Sequence, residues 1–181
     1  MSTIIVCAGH GGTDPGAIGI TGILEKDANL HFGLLLGDAL QRIDPALDIK
    51  YTRQDDSALT LKERVAIEHK LLPNLFVSVH CNSSPQPNQG SGFEIYYTTV
   101  RGCKIAGSVL AEVKKDFKIH GSGIFKENFY VLKYTKAVAI LLELFFINNE
   151  EDCKILEDPV RATLLIQQIA RGIMDSRDVW K

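Results

Sequence analysis

Four side chains of this 181-residue chain are of the types that bind metals and transfer protons. His10 lies among glycines after a short apolar run, Glu25 precedes a helical pattern, His80 closes a second apolar run and Glu143 lies inside a third. Two histidines and one carboxylate match the ligand set of a catalytic zinc, which leaves a fourth position for water. A further glutamate supplies the base that such a water needs. These residue types therefore indicate metal-assisted hydrolysis.

Plainer interpretations of the same residues remain open at this point. In these interpretations, His10 is a loop histidine without a role, and His80 is a buried histidine with its hydrogen bonds satisfied. Glu143 lies in the continuous apolar run of residues 137–144, where a carboxylate costs several kcal/mol unless it is paired or protonated. An ion pair with a lysine or arginine is the structural alternative for it, whereas a shifted pKa is typical of a functional site.

Apolar patterning predicts the elements that must position these residues. Strands are predicted at residues 4–8, 49–52, 75–79, 93–98, 129–132 and 137–144. Helices are predicted at residues 26–43, 60–72 and 104–117 and from residue 159 onward. Residues 83–92 and 119–126 are predicted to be loops at the rim of a substrate groove. The order indicates one α/β domain over residues 1–181, with a mixed, mostly parallel twisted sheet and helices on both faces.

The carboxyl ends of parallel strands face a common crevice, so the four side chains are expected to converge. Ser78 and Asn82 lie two residues on either side of His80, on the same face of its strand. They are candidates for orienting ligands or substrate, and the alternative is that they only satisfy loop backbone.

Three neighbouring side chains are predicted to have structural roles, and two cysteines suggest a different chemistry. Arg53 and Asp56 are predicted to form a structural pair, and Arg64 is predicted to brace its helix. Cys7 and Cys81 lie near proposed ligands, so a thiol nucleophile is an alternative. Adjacent strand residues point to opposite faces, however, so Cys81 does not share a site with the histidine that precedes it.

The composition excludes several other classes of function. Net charge is -2 and the basic residues are dispersed, so we expect neither nucleic acid nor an anionic membrane surface as a partner. The four cysteines lack C-x-x-C spacing and are expected to be reduced thiols. The N-terminus lacks the pattern of a signal peptide, and the apolar run of residues 137–142 is too short to cross a bilayer. We expect a soluble monomer that is made in the cytoplasm.

Eight short motifs occur in a fixed order along nearly the whole chain. They are AGHGGTDPGA (8–17), EKDxNL (25–30), TRxxD (52–56), LxxR (61–64), FVSVHCN (76–82), GFEIYY (92–97), VLK (131–133) and LLELxFINN (141–149). Each motif is weak alone, but the ordered set is specific. With these motifs the chain resembles the amidase-3 family of zinc-dependent N-acetylmuramoyl-L-alanine amidases.

The resemblance implies Zn²⁺ bound by His10, Glu25 and His80, with Glu143 as the catalytic acid and base. It implies hydrolysis of the amide between N-acetylmuramic acid and L-alanine in bacterial peptidoglycan. It also suggests a phage endolysin, which acts at the cell wall after release from the cytoplasm. The family usually has glycine two residues after the catalytic glutamate. Phe145 stands there in this chain, and this bulkier residue is expected to reshape the pocket.

Two other functions stay open. A zinc peptidase that cleaves the peptidoglycan stem peptides has the same chemistry and differs only in its products. The other function is that of a non-catalytic wall-binding or regulatory domain of the same fold. Such a domain is expected to have lost a metal ligand or the strand glutamate. All four residues are present, which favours an enzyme.

Overall fold

The computed structural model describes residues 2–181, apart from the side chain of residue 122. The strands are β1 (Thr3–Ala8), β2 (Asp48–Tyr51), β3 (Leu75–Asn82), β4 (Phe93–Tyr97), β5 (Ile119–Lys126) and β6 (Val138–Phe146). The helices are α1 (Glu25–Ile43), α2 (Leu61–Leu71), α3 (Val100–Val113), α4 (Tyr130–Tyr134), α5 (Glu150–Glu157), α6 (Pro159–Asp175) and α7 (Arg177–Trp180). Within the described residues, no helix is long and apolar enough to span a membrane.

One six-stranded sheet forms the centre of the fold, in the order β2-β1-β3-β6-β4-β5. The strands β2, β1, β3 and β6 are mutually parallel, and β4 pairs antiparallel with β6 and parallel with β5. The predicted mixed, mostly parallel sheet is therefore confirmed. The carboxyl ends of β1, β3 and β6 lie at one edge of the sheet, where ligands bind in open α/β folds.

Helices cover both faces of the sheet, as predicted. Leu36 of α1, Val109 of α3 and Ile169 of α6 belong to a large apolar cluster on one face. Val65 of α2 and Val131 of α4 belong to a smaller cluster on the other face. Neighbouring residues of β6 contribute alternately to the two clusters. This burial on both faces explains why the sequence of β6 is continuously apolar.

Two helices begin at the capping signals that their sequences carry. At α2, Glu63 N donates to Thr60 Oγ1 (3.2 Å) and Thr60 N donates to Glu63 Oε2 (2.8 Å), which is a capping box. At α6, Val160 N donates to the Asp158 carboxylate, and Pro159 occupies the first turn. Local side chains therefore set these two boundaries.

Two predicted elements are wrong, and two short helices were not predicted. Residues 129–132 were predicted to be a strand, but helix α4 covers most of them. Short apolar runs do not distinguish the two structures by periodicity. Residues 119–126 were predicted to be a loop because of their glycines, but they form β5. Gly121 and Gly123 have φ of 53° and 73° within this irregular edge strand. The unpredicted helices are α5 and α7.

A bulge near the end of β6 overturns the expectation for Phe145. His80 pairs with Glu143, but Asn82 pairs with Phe146, so β6 carries one extra residue between these pairs. The Phe145 ring packs near Phe93 and Phe117 in the large apolar cluster. It is therefore absent from the lining of the cleft beside Glu143.

Candidate metal centre

Three predicted ligands converge at the carboxyl edge of the sheet. One donor atom from each of His10, Glu25 and His80 lies within 4.8 Å of the others. His10 Nε2 and His80 Nδ1 are each 3.1 Å from Glu25 Oε1. The two imidazole rings are nearly perpendicular, at 80°, with centroids 5.2 Å apart. Two imidazole nitrogens and a carboxylate oxygen that face one point form a donor set that fits Zn²⁺.

Glycines allow the ligands to approach each other this closely. A Cβ atom on Gly9 would lie 2.1 Å from His80 Cε1, and one on Gly16 would lie 2.6 Å from Glu25 Oε2. Gly16 also has a φ of 65°, and the ligand His10 itself has a φ of 57°. The loop after β1 therefore adopts a left-handed backbone in order to place its histidine over the end of β3.

We predict that Gly9→Ala lowers catalytic activity about 100-fold, because the new methyl group displaces the His80 ring and a displacement of about 1 Å has that effect. Zinc content and initial rate measure the effect. Gly107→Ala is the matched control, since nothing lies within 4 Å of its Cβ position. Equal activity of the two variants would contradict the close packing of Gly9 on His80.

Two buried arginines hold the backbone of the His10 loop. Arg53 Nη2 donates to Gly9 O (2.7 Å), and Arg64 donates to Ala8 O (2.5 Å) and His10 O (2.7 Å). These carbonyls lie at the last residue of β1 or just after it, and they need donors outside the sheet. Arg64 thus braces the loop as well as its own helix, which the sequence did not indicate.

The predicted pair of Arg53 and Asp56 is wrong. Asp56 pairs instead with Lys26, with Nζ and Oδ2 2.6 Å apart, and accepts a hydrogen bond from Gly12 N. Arg53 donates to backbone carbonyls, including Lys26 O at 2.8 Å. The two side chains therefore fix different segments of the loop before α1.

Two residues that the sequence analysis did not single out orient the ligands. Asp14 Oδ2 lies 2.8 Å from His10 Nδ1, so an Nδ1–H donor leaves Nε2 free to face the metal position. Asn29 Nδ2 donates to Glu25 Oε1 (3.1 Å), and Ala17 N donates to Glu25 Oε2 (2.9 Å). Asp14 and Asn29 each follow a ligand by four residues, and this spacing is the signal that was available.

We predict that Asp14→Ala weakens the binding of an added divalent metal about 10- to 100-fold, because His10 loses the partner that fixes its tautomer and ring orientation. Competition with a chromophoric chelator measures this affinity. Asp38→Ala removes an exposed carboxylate of α1 and serves as the control. Unchanged affinity in the Asp14 variant would show that the contact does not support the ligand.

The charges of the ligands are strongly coupled in the metal-free protein. The hydrogen bond to Glu25 raises the pKa of His10, against the effect of burial, and Asp14 raises it further. Burial alone would raise the pKa of Glu25, but hydrogen bonds from His10 and His80 outweigh it and lower this pKa far below its ordinary range. An ionised carboxylate is the form that binds a metal.

Glu143 lies beside this donor set, because it pairs with His80 in the register of β3 and β6. Its Oε2 atom is buried and has no hydrogen-bond partner among the described residues, so the alternative of an ion pair is not observed. Burial raises the pKa of Glu143 well above its ordinary value, and the charges of Glu25 and Glu94 add to this effect. A desolvated carboxyl group that lines an open cleft suits proton transfer.

We predict that Glu143→Gln stabilises the metal-free protein, increasingly as the pH rises from about 4 to about 7. The unfolded wild type releases the Glu143 proton near its ordinary pKa, whereas the folded protein retains it to higher pH. Wild-type stability is therefore lost as the pH rises above the ordinary pKa, and glutamine avoids this loss. Urea unfolding in EDTA at several pH values measures the difference. A difference that does not depend on pH would contradict the raised pKa.

Ser78 and Asn82 have different surroundings. Ser78 lines the cleft together with His80 and Glu143. Asn82 Nδ2 donates to Glu94 Oε2 (2.8 Å), and Glu94 is itself only 4% exposed. Both residues lie near the donor set, and their roles toward ligands or substrate stay predictions. Glu94 was not predicted, although it lies directly opposite Glu143 on β4.

Cys81 is unsuited to nucleophilic chemistry in this structure. Its side chain belongs to the apolar cluster on the face opposite His80. Burial raises the pKa of its thiol well above the ordinary value. A thiolate is the reactive form of cysteine, so this buried thiol is a poor nucleophile.

The donor set opens into a cleft of about 430 Å³. Near it, the predicted loop of residues 83–92 is anchored to the corner between β6 and α5. Asn149 Nδ2 donates to Gly90 O (2.9 Å), and Gly92 N donates to Asp152 Oδ2 (2.7 Å). This segment is a loop, as predicted, and its role at the rim of the groove stays a prediction.

Fold and site together define an α/β enzyme domain with a metal-type donor set and an adjacent buried acid. Residues 4–175 match the model of the Amidase_3 family, described as N-acetylmuramoyl-L-alanine amidase, and the chain belongs to this family. The resemblance inferred from the motifs is therefore confirmed. The chain is an enzyme of the N-acetylmuramoyl-L-alanine amidase class, which acts on peptidoglycan.

The chain is similar to individual proteins and to solved structures. The chain is 34% identical to the uncharacterized protein YqiI of Bacillus subtilis over 83% of this chain and 72% of that protein. It is 32% identical to the N-acetylmuramoyl-L-alanine amidase LytC of B. subtilis over 94% of this chain, which spans only 34% of LytC. The catalytic domain of the amidase CwlV from Bacillus (Paenibacillus) polymyxa var. colistinus superimposes with a TM-score of 0.89, at 33% identity and 99% coverage of both chains.

Proposed function

We propose that this protein is a zinc-dependent amidase that cleaves the bond between N-acetylmuramic acid and L-alanine in peptidoglycan. The observation that carries the proposal is the convergence of His10, Glu25 and His80 next to Glu143, whose buried Oε2 atom has no hydrogen-bond partner among the described residues. Membership of the amidase family supports the choice of bond. The donor set supports the choice of zinc.

Zinc bound by the three ligands supplies a Lewis acid that polarises the scissile carbonyl and lowers the pKa of water. Glu143 accepts the proton of the attacking water at its carboxylate and later delivers it to the leaving amine of alanine. Burial beside His80 holds this carboxyl group in a place where its proton affinity is raised. Asp14 and Asn29 keep the ligands oriented throughout. The reaction needs no covalent enzyme intermediate.

The products of peptidoglycan digestion test the proposal. Purified peptidoglycan is incubated with the zinc-loaded protein, and new amino termini and new reducing sugar ends are quantified. We expect new N-terminal alanine without new reducing ends. Other new amino-terminal residues would identify a peptidase that cleaves stem peptides, and no product at all would favour a non-catalytic domain. Either result would contradict the proposal that the amide between N-acetylmuramic acid and L-alanine is cleaved.

We also propose that the protein acts at the bacterial cell wall. Its relative LytH of Staphylococcus aureus, named a probable cell wall amidase, is 30% identical, and this chain spans 57% of it. An origin as a phage endolysin, synthesis in the cytoplasm followed by release, and a monomeric state without nucleic-acid or membrane partners remain predictions. Sedimentation analysis of the purified protein tests the monomeric state. Lysis assays from inside and outside the cell test the release from the cytoplasm.

A further inference from the structure

The cleft extends from the metal centre into a groove between the starts of α2 and α4, which we call the α2–α4 groove. The groove is lined by apolar and aromatic side chains, namely Leu59, Leu61, Phe129, Tyr130, Val131 and Leu141. Leu61 is 53% exposed and Phe129 is 41% exposed. Large apolar side chains exposed beside a concave surface are typical of a binding site.

The polar residues of the groove have few free hydrogen-bonding groups. Arg64 is buried and donates to Leu59 O, Ala8 O and His10 O. Thr60 is engaged with Glu63 in the capping box. Ser78 Oγ has only a 3.5 Å contact to a backbone carbonyl, and the residue is 1% exposed, so its hydroxyl group lies at the floor of the groove. Outside the metal centre, the described lining of this groove therefore offers apolar surface and a hydroxyl group but no free cation.

Neighbouring rings support the aromatic wall of the groove. Phe129 packs edge-on against Tyr96 with centroids 5.0 Å apart, and Tyr130 packs on Tyr134 at 4.5 Å. Such pairs are favourable by about 0.5–1.5 kcal/mol beyond the area that they bury. The wall is thus formed before any ligand binds, which lowers the entropic cost of binding.

The two halves of the proposed substrate differ in charge. On the acyl side, the lactyl carboxyl group is part of the scissile amide and the sugar amine is acetylated, so this half is neutral. The stem peptide carries free carboxylates, which are costly to place on apolar surface without a cation. We propose that the α2–α4 groove binds the N-acetylmuramoyl half of the substrate. This inference rests on the proposed amidase function.

The residues next to Glu143 on the β4 side have the character expected for the peptide half. Glu94 faces Glu143 across the β4–β6 pair, and His120 Nε2 lies 3.6 Å from Glu94 Oε1. Lys118 Nζ bonds Ser91 Oγ at the edge of the same region. Charged and titratable groups therefore lie beside Glu143 and are not among the residues that line the α2–α4 groove. The leaving amine, which must receive its proton from Glu143, can then depart toward this polar side.

Product inhibition tests the assignment, with N-acetylmuramic acid and L-alanyl-D-glutamate as the two probes. Phe129→Ala and Leu61→Ala are each expected to raise the KM for peptidoglycan and the inhibition constant of N-acetylmuramic acid about fivefold. The inhibition constant of the dipeptide and kcat should stay within about twofold of wild type. Val160→Ala is the control, since it truncates a 77% exposed apolar residue of α6 that does not line the cleft.

Thermal unfolding of each variant separates a local effect from loss of folding, and the exposed Leu61 provides a second test if Phe129→Ala is unstable. A selective rise in the inhibition constant of the dipeptide would place the peptide half in the groove and overturn the inference. Unchanged KM values and unchanged inhibition constants of N-acetylmuramic acid in both folded variants would also overturn the inference. Failure of the wild type to release N-terminal alanine is a different result, because it would refute the proposed function itself.

Discussion

Glu143→Gln is expected to reduce the release of N-terminal alanine from peptidoglycan by about 10²- to 10⁴-fold, which is the usual contribution of general acid–base catalysis. Glutamine keeps the shape of the side chain but cannot accept the proton of the attacking water. The variant should still bind zinc, because residue 143 is not one of the three converging donors. Initial rates at saturating zinc, together with metal analysis, measure both effects.

Glu127→Gln is the matched control for this result, since it makes the same chemical change at an exposed position before α4. It should retain wild-type activity. Full activity in Glu143→Gln with normal zinc content would refute the assignment of Glu143 as the base. Loss of zinc from that variant would instead indicate that Glu143 belongs to the metal centre.

Removal of zinc is expected to abolish activity and to lower the unfolding temperature, and addition of zinc should restore both. A ligand that binds only the folded state stabilises it by about 4 kcal/mol when its free concentration is 1,000 times the dissociation constant. His80→Ala should be inactive and should show almost no stabilisation by zinc, because one of three donors is missing. Scanning calorimetry with EDTA and with added zinc measures the shift.

The control for this experiment is His31→Ala, which removes an exposed histidine of α1 that is not part of the donor set. Its response to zinc should equal that of the wild type. Unchanged activity and unfolding temperature of the wild type after complete chelation would contradict a zinc-dependent reaction. Zinc-induced stabilisation of His80→Ala equal to that of the wild type would contradict the assignment of this ligand.

The donor set could be predicted from the sequence because each ligand follows a local pattern. His10 and His80 come where apolar strands end, and Glu25 comes where a helix begins, so the topology of a parallel sheet brings them together. Glu143 was recognisable as a lone acid in an apolar strand. These signals depend on a few adjacent residues and need no knowledge of distant contacts.

The supporting contacts were harder to predict because their partners are backbone atoms far away in the sequence. Arg53 and Arg64 bind carbonyls of a loop more than 40 residues earlier, with sequence separations of 44 and 54 to Gly9 and His10. A charged side chain in a sequence suggests a charged partner, whereas buried carbonyls are invisible until the fold is known. The position of Phe145 likewise depends on one bulge, which reverses the face of a strand residue.

The single antiparallel pair in the sheet has a consequence for how this enzyme could be diversified. Because β4 runs against β6, the chain leaves β3 and enters β4 at the same edge that carries the metal ligands. The connecting segment, residues 83–92, contributes none of the three donors, and its hydrogen bonds reach the corner after β6 and Lys118 just before β5. Longer or shorter versions of this segment could therefore be exchanged as a module that alters selectivity for the wall polymer while the catalytic chemistry stays constant.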